Sequence, residues 1–164
     1  MLPPPAVPSE AAPAQQLIQY GYVLDLPAGW AHTGGLPERR RSLLTPLAAP
    51  DGSDLISVEL VPVGYDTGAE LRRAHTELKA AFDAAVADGA PLTGFADDAS
   101  YAGRPVVAYQ ESGDVDVPVD VTVDWYVVLD GAAQLSVGCR HTGAGARDVA
   151  AACATVVRSL RRVT

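Results

Sequence analysis

The two cysteines, Cys139 and Cys153, constrain this 164-residue chain more than any other feature. Cys139 closes an alternating run, Leu135-Ser136-Val137-Gly138-Cys139, in which Leu135, Val137 and Cys139 share one face of a strand. Cys153 falls in a helical pattern with Val149, Val156 and Leu160, spaced by three and four along one apolar stripe. Both thiols therefore point into the layer between a strand and the helix that follows it. Two states are open to them. Paired, they close a loop of about 15 residues, worth roughly 3 kcal/mol in the chain-entropy model, and place the protein outside the cytoplasm. Unpaired, they are two buried, inert thiols, and a cytoplasmic location stands.

The length suits one domain with a tail. The stretch from Met1 to Gln16 is rich in Pro and Ala and almost uncharged, and reads as a disordered linker, with residues 17–164 forming a single domain. Met1 is followed by Leu2-Pro3-Pro4-Pro5, which has neither the charged nor the apolar region of a signal peptide. No stretch approaches the roughly 20 apolar residues of a membrane span. A real bridge then implies that an export device is missing from this chain, as in a domain excised from a longer protein. The alternative is a complete protein with a disordered N-terminus. Twenty acidic against twelve basic side chains give a net charge of −8, which argues against a nucleic-acid partner and against anchoring on anionic lipid.

Alternation predicts strands over Tyr20–Leu26, Ser42–Leu47, Asp54–Val63, Phe95–Tyr101, Pro105–Glu111 and Val119–Leu129. In the third, Ile56, Val58 and Leu60 face one way and Ser57 and Glu59 the other. Thr67-Gly68-Ala69-Glu70 has capping-box spacing and opens a helix whose buried stripe is Leu71, Ala74, Leu78, Ala81, Phe82 and Ala85, ending near Gly89. A second helix spans about Ala144–Arg162, with Arg158, Arg161 and Arg162 near its negative end. Asp130-Gly131 marks a hairpin. Placing Val123, Trp125, Val127 and Leu129 on the same face as Ala133, Leu135, Val137 and Cys139 requires a three-residue loop, Asp130 to Ala132. Strands in runs with two one-sided helices predict an α+β domain, an antiparallel β-sheet covered by helices.

No constellation carries chemistry. Asp114, Asp116, Asp120 and Asp124 lack calcium-loop spacing and are interrupted by Pro118. Asp97-Asp98 reads as a loop pair. Cys139-Arg140-His141 could form a thiol–imidazole dyad, but Cys139 faces inward and His141 falls in a loop. His32, His75 and His141 lack metal-ligand spacing, and His75 is expected on a helix flank. Gly143-Ala144-Gly145 before a helix could hold an anion, without a dinucleotide fingerprint or a Walker lysine. The expected protein is therefore not an enzyme, and no catalytic residue, metal or cofactor is assigned. Trp30 with Arg39, Arg40 and Arg41 forms a possible partner surface, Arg and Trp being types that dominate interfaces, against the alternative that Trp30 packs over the sheet edge and the arginines are solvated.

Several short motifs occur in a telling order: Tyr22 through Pro27-Ala28-Gly29-Trp30, Arg41-Ser42-Leu43-Leu44, Val123-Asp124-Trp125, Leu135-Ser136-Val137-Gly138-Cys139, and Cys153-Ala154-Thr155-Val156-Val157-Arg158-Ser159. Over roughly Leu17 to Arg162 the chain resembles the C-terminal domain of actinobacterial type VII secretion-associated proteins, a Mog1/PsbP-like family. The resemblance implies an α/β/α sandwich, a Cys139–Cys153 structural bridge and an extracytoplasmic domain of the cell envelope, membrane-tethered in a longer parent chain. It implies binding or scaffolding of a protein partner in the envelope or secretion apparatus. The alternative it implies is a small-ligand or lipid-binding module with a cleft between sheet and helix.

Overall fold

The computed structural model describes residues 15–113 and 120–163. Most of linker stretch 1–16 lies outside them, as do Asp114, Asp116, Pro118 and Val119, while Gln16 already pairs with Asp25. The elements run β1 (Gln16–Gln19), β2 (Tyr22–Asp25), β3 (Trp30–Leu36), a 3-10 turn (Pro37–Arg39), β4 (Arg41–Pro46) and β5 (Leu55–Pro62). Helix α1 (Leu71–Ala87) follows, then β6 (Leu92–Tyr101), β7 (Arg104–Ser112), β8 (Val121–Asp130), β9 (Ala133–Thr142), α2 (Ala146–Ser159) and β10 (Arg161–Arg162). Seven strands form one antiparallel sheet in the order β3-β4-β5-β9-β8-β7-β6, and β1-β2-β10 form a small second sheet. The fold is α+β, and the helices lie on opposite faces of the large sheet. Among the described residues no helix is long and apolar enough to cross a membrane.

The core lies on the α2 face. Register places Leu44, Ile56, Val58, Leu135, Val137 and Cys139 on one side of adjacent strands. They are buried against Val149, Cys153, Val156 and Leu160, the stripe read from the sequence. Tyr22 and Leu24 of the small sheet close the same layer. Cys139 and Cys153 are disulfide-bonded, with Cα atoms 6.1 Å apart, so the strand and the following helix are covalently joined inside the core. Both helix ends are tied as well. Asp54 accepts the Thr142 amide at 2.9 Å before the N-terminus, and Arg104 donates to the carbonyls of Val157 (2.9 Å) and Leu160 (2.6 Å) at the C-terminus.

Four expectations are corrected and one strand is added. The strand expected from Tyr20 is instead a hairpin: Tyr20 and Gly21, with φ of 52° and 91°, make the two-residue turn between β1 and β2. The added strand is β3, whose alternation is broken by Gly34-Gly35 and by a register shift between His32 and Gly34. The Thr67 box does not cap α1. Asp66 accepts the amides of Gly68 (2.8 Å) and Ala69 (3.0 Å), while the buried Thr67 hydroxyl donates to the Gly131 carbonyl at 2.7 Å. The last helix stops at Ser159, and Arg161 and Arg162 pair with β2, leaving only Arg158 in its final turn. The β8–β9 loop has two residues, since Asp130 pairs with Ala133. Trp125 thus lies opposite Gly138 and Tyr126 opposite Val137, so the two apolar sets face opposite ways. The sheet tolerates this because it is covered on both faces, which removes the one-face premise of the register argument.

Two measurements follow from this packing. Cys139→Ala/Cys153→Ala, or reduction of the unfolded chain, should lower stability by about 3 kcal/mol, read as a drop in thermal midpoint. The Tyr22 hydroxyl, fully buried between Ser42 Oγ (2.5 Å) and the Val58 carbonyl (3.1 Å), is pushed up to about 12 by burial. The folded state holds this proton more tightly than the unfolded phenol, whose ordinary value is 10.0. Its contribution is therefore complete below pH 10 and is lost as pH rises through about 12, amounting to about 3 kcal/mol in full. Urea midpoints should fall over that window, and fall less steeply in Tyr22→Phe.

Candidate functional site: a cleft under the first helix

The two helices dock very differently. Along the expected stripe of α1, Ala74 is buried, Leu78, Phe82 and Ala85 are half-buried, and Ala81 is exposed. Leu71 is 48% exposed. The reason is the size distribution along the helix. Phe82 meets Phe95 at 5.2 Å and Tyr109 at 5.7 Å between ring centroids, a bulky prop toward the C-terminal end. Toward the N-terminus the sheet-facing residues include Ala74, which is too small to fill the same gap. Thr67, bonded to Gly131, pins the lead-in of the helix to the β8–β9 turn.

What results is a cleft of about 430 Å3 between α1 and strands β6, β7 and β8. Its walls are apolar: Leu71 from the helix, Ala99 from β6, Val106 and Val107 from β7, Val127 and Leu129 from β8. Val107, Val127 and Leu129 reach it only because the two-residue β8–β9 turn sends their set to this face. Polar groups sit at the rim. His75 Nδ1 is 3.9 Å from Asp97, and the opening continues past Arg72, Thr76 and Lys79. Size, apolar lining and a few convergent polar groups are those of a small-ligand site.

Beyond the prop the floor continues as an aromatic platform. Tyr109 stacks with Trp125 at 6.0 Å and 17°. The Trp125 indole lies across Gly138 of β9, where a methyl group would meet its ring at 2.7 Å, and donates to Glu111 at 3.1 Å. Gly138 is thus required by its neighbour. On the outer side of α1, the Tyr65 hydroxyl donates to Glu77 at 2.7 Å, and this bond, followed by that from Arg73, holds the Glu77 carboxyl below its usual range.

Other residues singled out in the sequence are dispersed. Trp30 is no surface residue, being 7% exposed in the core where β3 begins, close to Ala152 and Thr155 of α2. Arg39 and Arg41 share Glu59 at 3.2 and 3.0 Å. Hence the expected surface of Trp30, Arg39, Arg40 and Arg41 does not form as a unit, and Arg40 alone is left outward without a carboxylate among the described residues. Cys139 is bonded, so it offers no thiolate for a dyad with His141. His141 belongs to β9, not a loop, and its Nε2 lies 3.1 Å from Asp124. Asp124 also accepts from Gln110 at 2.9 Å. Asp97 and Asp98 lie in β6. The Gly143-Ala144-Gly145 segment, considered as a place for an anion, faces this chain's own Asp54, whose carboxylate occupies the space where a Gly145 side chain would be. Sequence reasoning missed the His75–Asp97 pair and reached a sheet–helix cleft only through the resemblance, without its residues, because both depend on how α1 meets β6 across a register that shifts between Thr93, Ala96 and Ala99.

No known protein family matches the sequence, and no curated protein matches it. Among solved structures the chain is similar to a protein of Bacteroides thetaiotaomicron, with 12% identity and a TM-score of 0.59, covering 92% of this chain and 49% of that one. This chain thus spans about half the length of the Bacteroides protein. It is similar to LpqN of Mycobacterium tuberculosis, described as involved in cell envelope biogenesis, with 14% identity and a TM-score of 0.52, covering 94% of this chain and 88% of that one. It also aligns with cyanobacterial PsbP from Synechocystis sp. PCC 6803 at 16% identity and a TM-score of 0.46, over 96% and 97% of the two chains. At these identities the likeness to the first two is one of fold.

Removing the prop should loosen α1 while sparing the α2 face. Phe82→Ala should cost about 2 kcal/mol, less than a fully buried Phe because Phe82 is only half-buried. Hydrogen exchange should rise first in residues 71–87 and stay slow in β5, β9 and α2.

Proposed function

We propose that this chain is a non-enzymatic, extracytoplasmic binding domain of the cell envelope that holds a small apolar or amphiphilic molecule in the α1 cleft. The observation that carries this reading is the cleft itself: about 430 Å3, apolar-walled, opening past His75 and Asp97. The Cys139–Cys153 bond supports an oxidising compartment, and the described role of LpqN in envelope biogenesis supports the same setting. The finer reading, a Mog1/PsbP-like domain accessory to type VII secretion with a protein partner there, rests on the ordered motifs from Tyr22 to Ser159.

The ligand reading is tested with lauric acid, followed by native mass spectrometry. Wild-type protein should take up one molecule. Leu129→Trp, which fills the cleft from β8 without touching the α2 core, should weaken uptake by roughly tenfold or more, the loss of about 1.4 kcal/mol. Absence of uptake, or uptake indifferent to Leu129→Trp, would sink it. For the finer reading, a pull-down with the folded domain that recovers no secretion component or envelope protein counts against it.

A further inference from the structure

A second concavity lies where the small sheet meets the strand ends of the large one. Tyr20, Pro37, Arg40, Leu60, Pro62 and Arg162 are among its walls, and its volume is about 510 Å3. Arg40 and Arg162 are both exposed, and among the described residues neither has a carboxylate within ion-pair distance of its guanidinium. The nearby Asp130 accepts the Arg162 backbone amide at 2.7 Å and keeps its charge, while Glu59 is shared by Arg39 and Arg41, so the two guanidinium groups outnumber the one free carboxylate beside them. In a chain of net charge −8, two uncommitted guanidinium groups walling one pocket are a local reversal of sign.

Backbone conformation sharpens the point. Arg40 is left-handed, with φ of 49°, at the end of the 3-10 turn. Glycine adopts that conformation freely, whereas a residue with a Cβ does so at a cost. Its carbonyl accepts from Tyr22 and from the Leu60 amide, and its amide donates to Pro37. The fold thus fixes the backbone here without using the side chain, which is left facing the pocket.

We propose that the pocket walled by Arg40 and Arg162 recognises carboxylate side chains in an acidic peptide segment of a partner protein. Guanidinium forks match carboxylates in two-point geometry. The apolar walls, Pro37, Leu60 and Pro62, would be superfluous for a free inorganic anion and suit the aliphatic parts of a peptide. An anionic membrane presents a continuous negative surface to a chain of net charge −8, while a short peptide brings only a few charges to the site.

The test titrates the full chain into a fluorescein-labelled hexaglutamate peptide and follows anisotropy. Saturable binding that weakens with added salt is expected. Arg162→Ala and Arg40→Gly should each weaken it by roughly tenfold or more, and Arg39→Ala, whose guanidinium is committed to Glu59, should change it less than either. Arg40→Gly suits the left-handed backbone, so its thermal midpoint should equal or exceed that of the wild type, separating lost binding from lost fold. No binding, or binding indifferent to both variants, overturns the proposal. Equal competition by inorganic phosphate, or arginine-dependent capture on phosphatidylglycerol vesicles, reassigns the pocket to a small anion or a lipid surface and overturns it too.

Discussion

The two-residue turn at Gly131-Ala132 is the constraint from which the working surfaces of this protein follow. Gly131 has φ of 58° at the first turn position, where a side chain would be strained, and this permits the tight closure. Closure in this register turns Trp125, Val127 and Leu129 to one face and Leu135, Val137 and Cys139 to the other. One more residue in the loop would merge the two sets on a single face, emptying either the core or the cleft. The same turn offers the Gly131 carbonyl to Thr67, which fixes where α1 begins. A single local conformation thereby sets the core, the cleft floor and the position of the helix above it.

The faces it creates differ in how firmly they are closed. On one, α2 is bound by a disulfide, faced by Asp54 at its start and held by Arg104 at its end, over side chains that are almost wholly buried. On the other, α1 rests on Phe82 at one end and on the Thr67 tie at the other, with space between. Rigidity on the first face is what allows looseness on the second, since the sheet needs only one tightly packed side to keep its shape. Binding sites belong to the less stable regions of a fold. The cleft proposed as a binding site lies on that looser face.

Legibility in the sequence followed the same division. The α2 face could be read, because its strand and helix each carry one unambiguous period and their cysteines fall in phase with both. Ile56, Val58, Leu60 and Val149, Cys153, Val156, Leu160 are buried as their spacing implies. The α1 face could not be read to the same depth. Its helix stripe is real in period but alanine-rich, and period says nothing about how closely a helix approaches the sheet. The strand beneath it, β6, is bulged, so Asp97 appears as a loop residue until three-dimensional pairing brings it to His75. The hairpin register differs from the three-residue expectation because alternation fixes register only where one face is covered, and Tyr126-Val127-Val128 places apolar residues on both. In the basic cluster, residue type was visible in the sequence, but only the 3-10 turn and the partnership with Glu59 distinguish Arg40 from its neighbours.

The geometry also relates the two proposed sites. Leu129, on one side of the β8–β9 turn, belongs to the cleft, while Ala132 and Ala133, on the other, help to line the arginine pocket. The hairpin separates them as a common wall, with no residue lining both. A ligand under α1 therefore leaves Arg40 and Arg162 uncovered, and a peptide on the arginines leaves Leu71 and His75 free. The two proposed sites lie on opposite sides of one hairpin, so occupation of one does not sterically exclude occupation of the other.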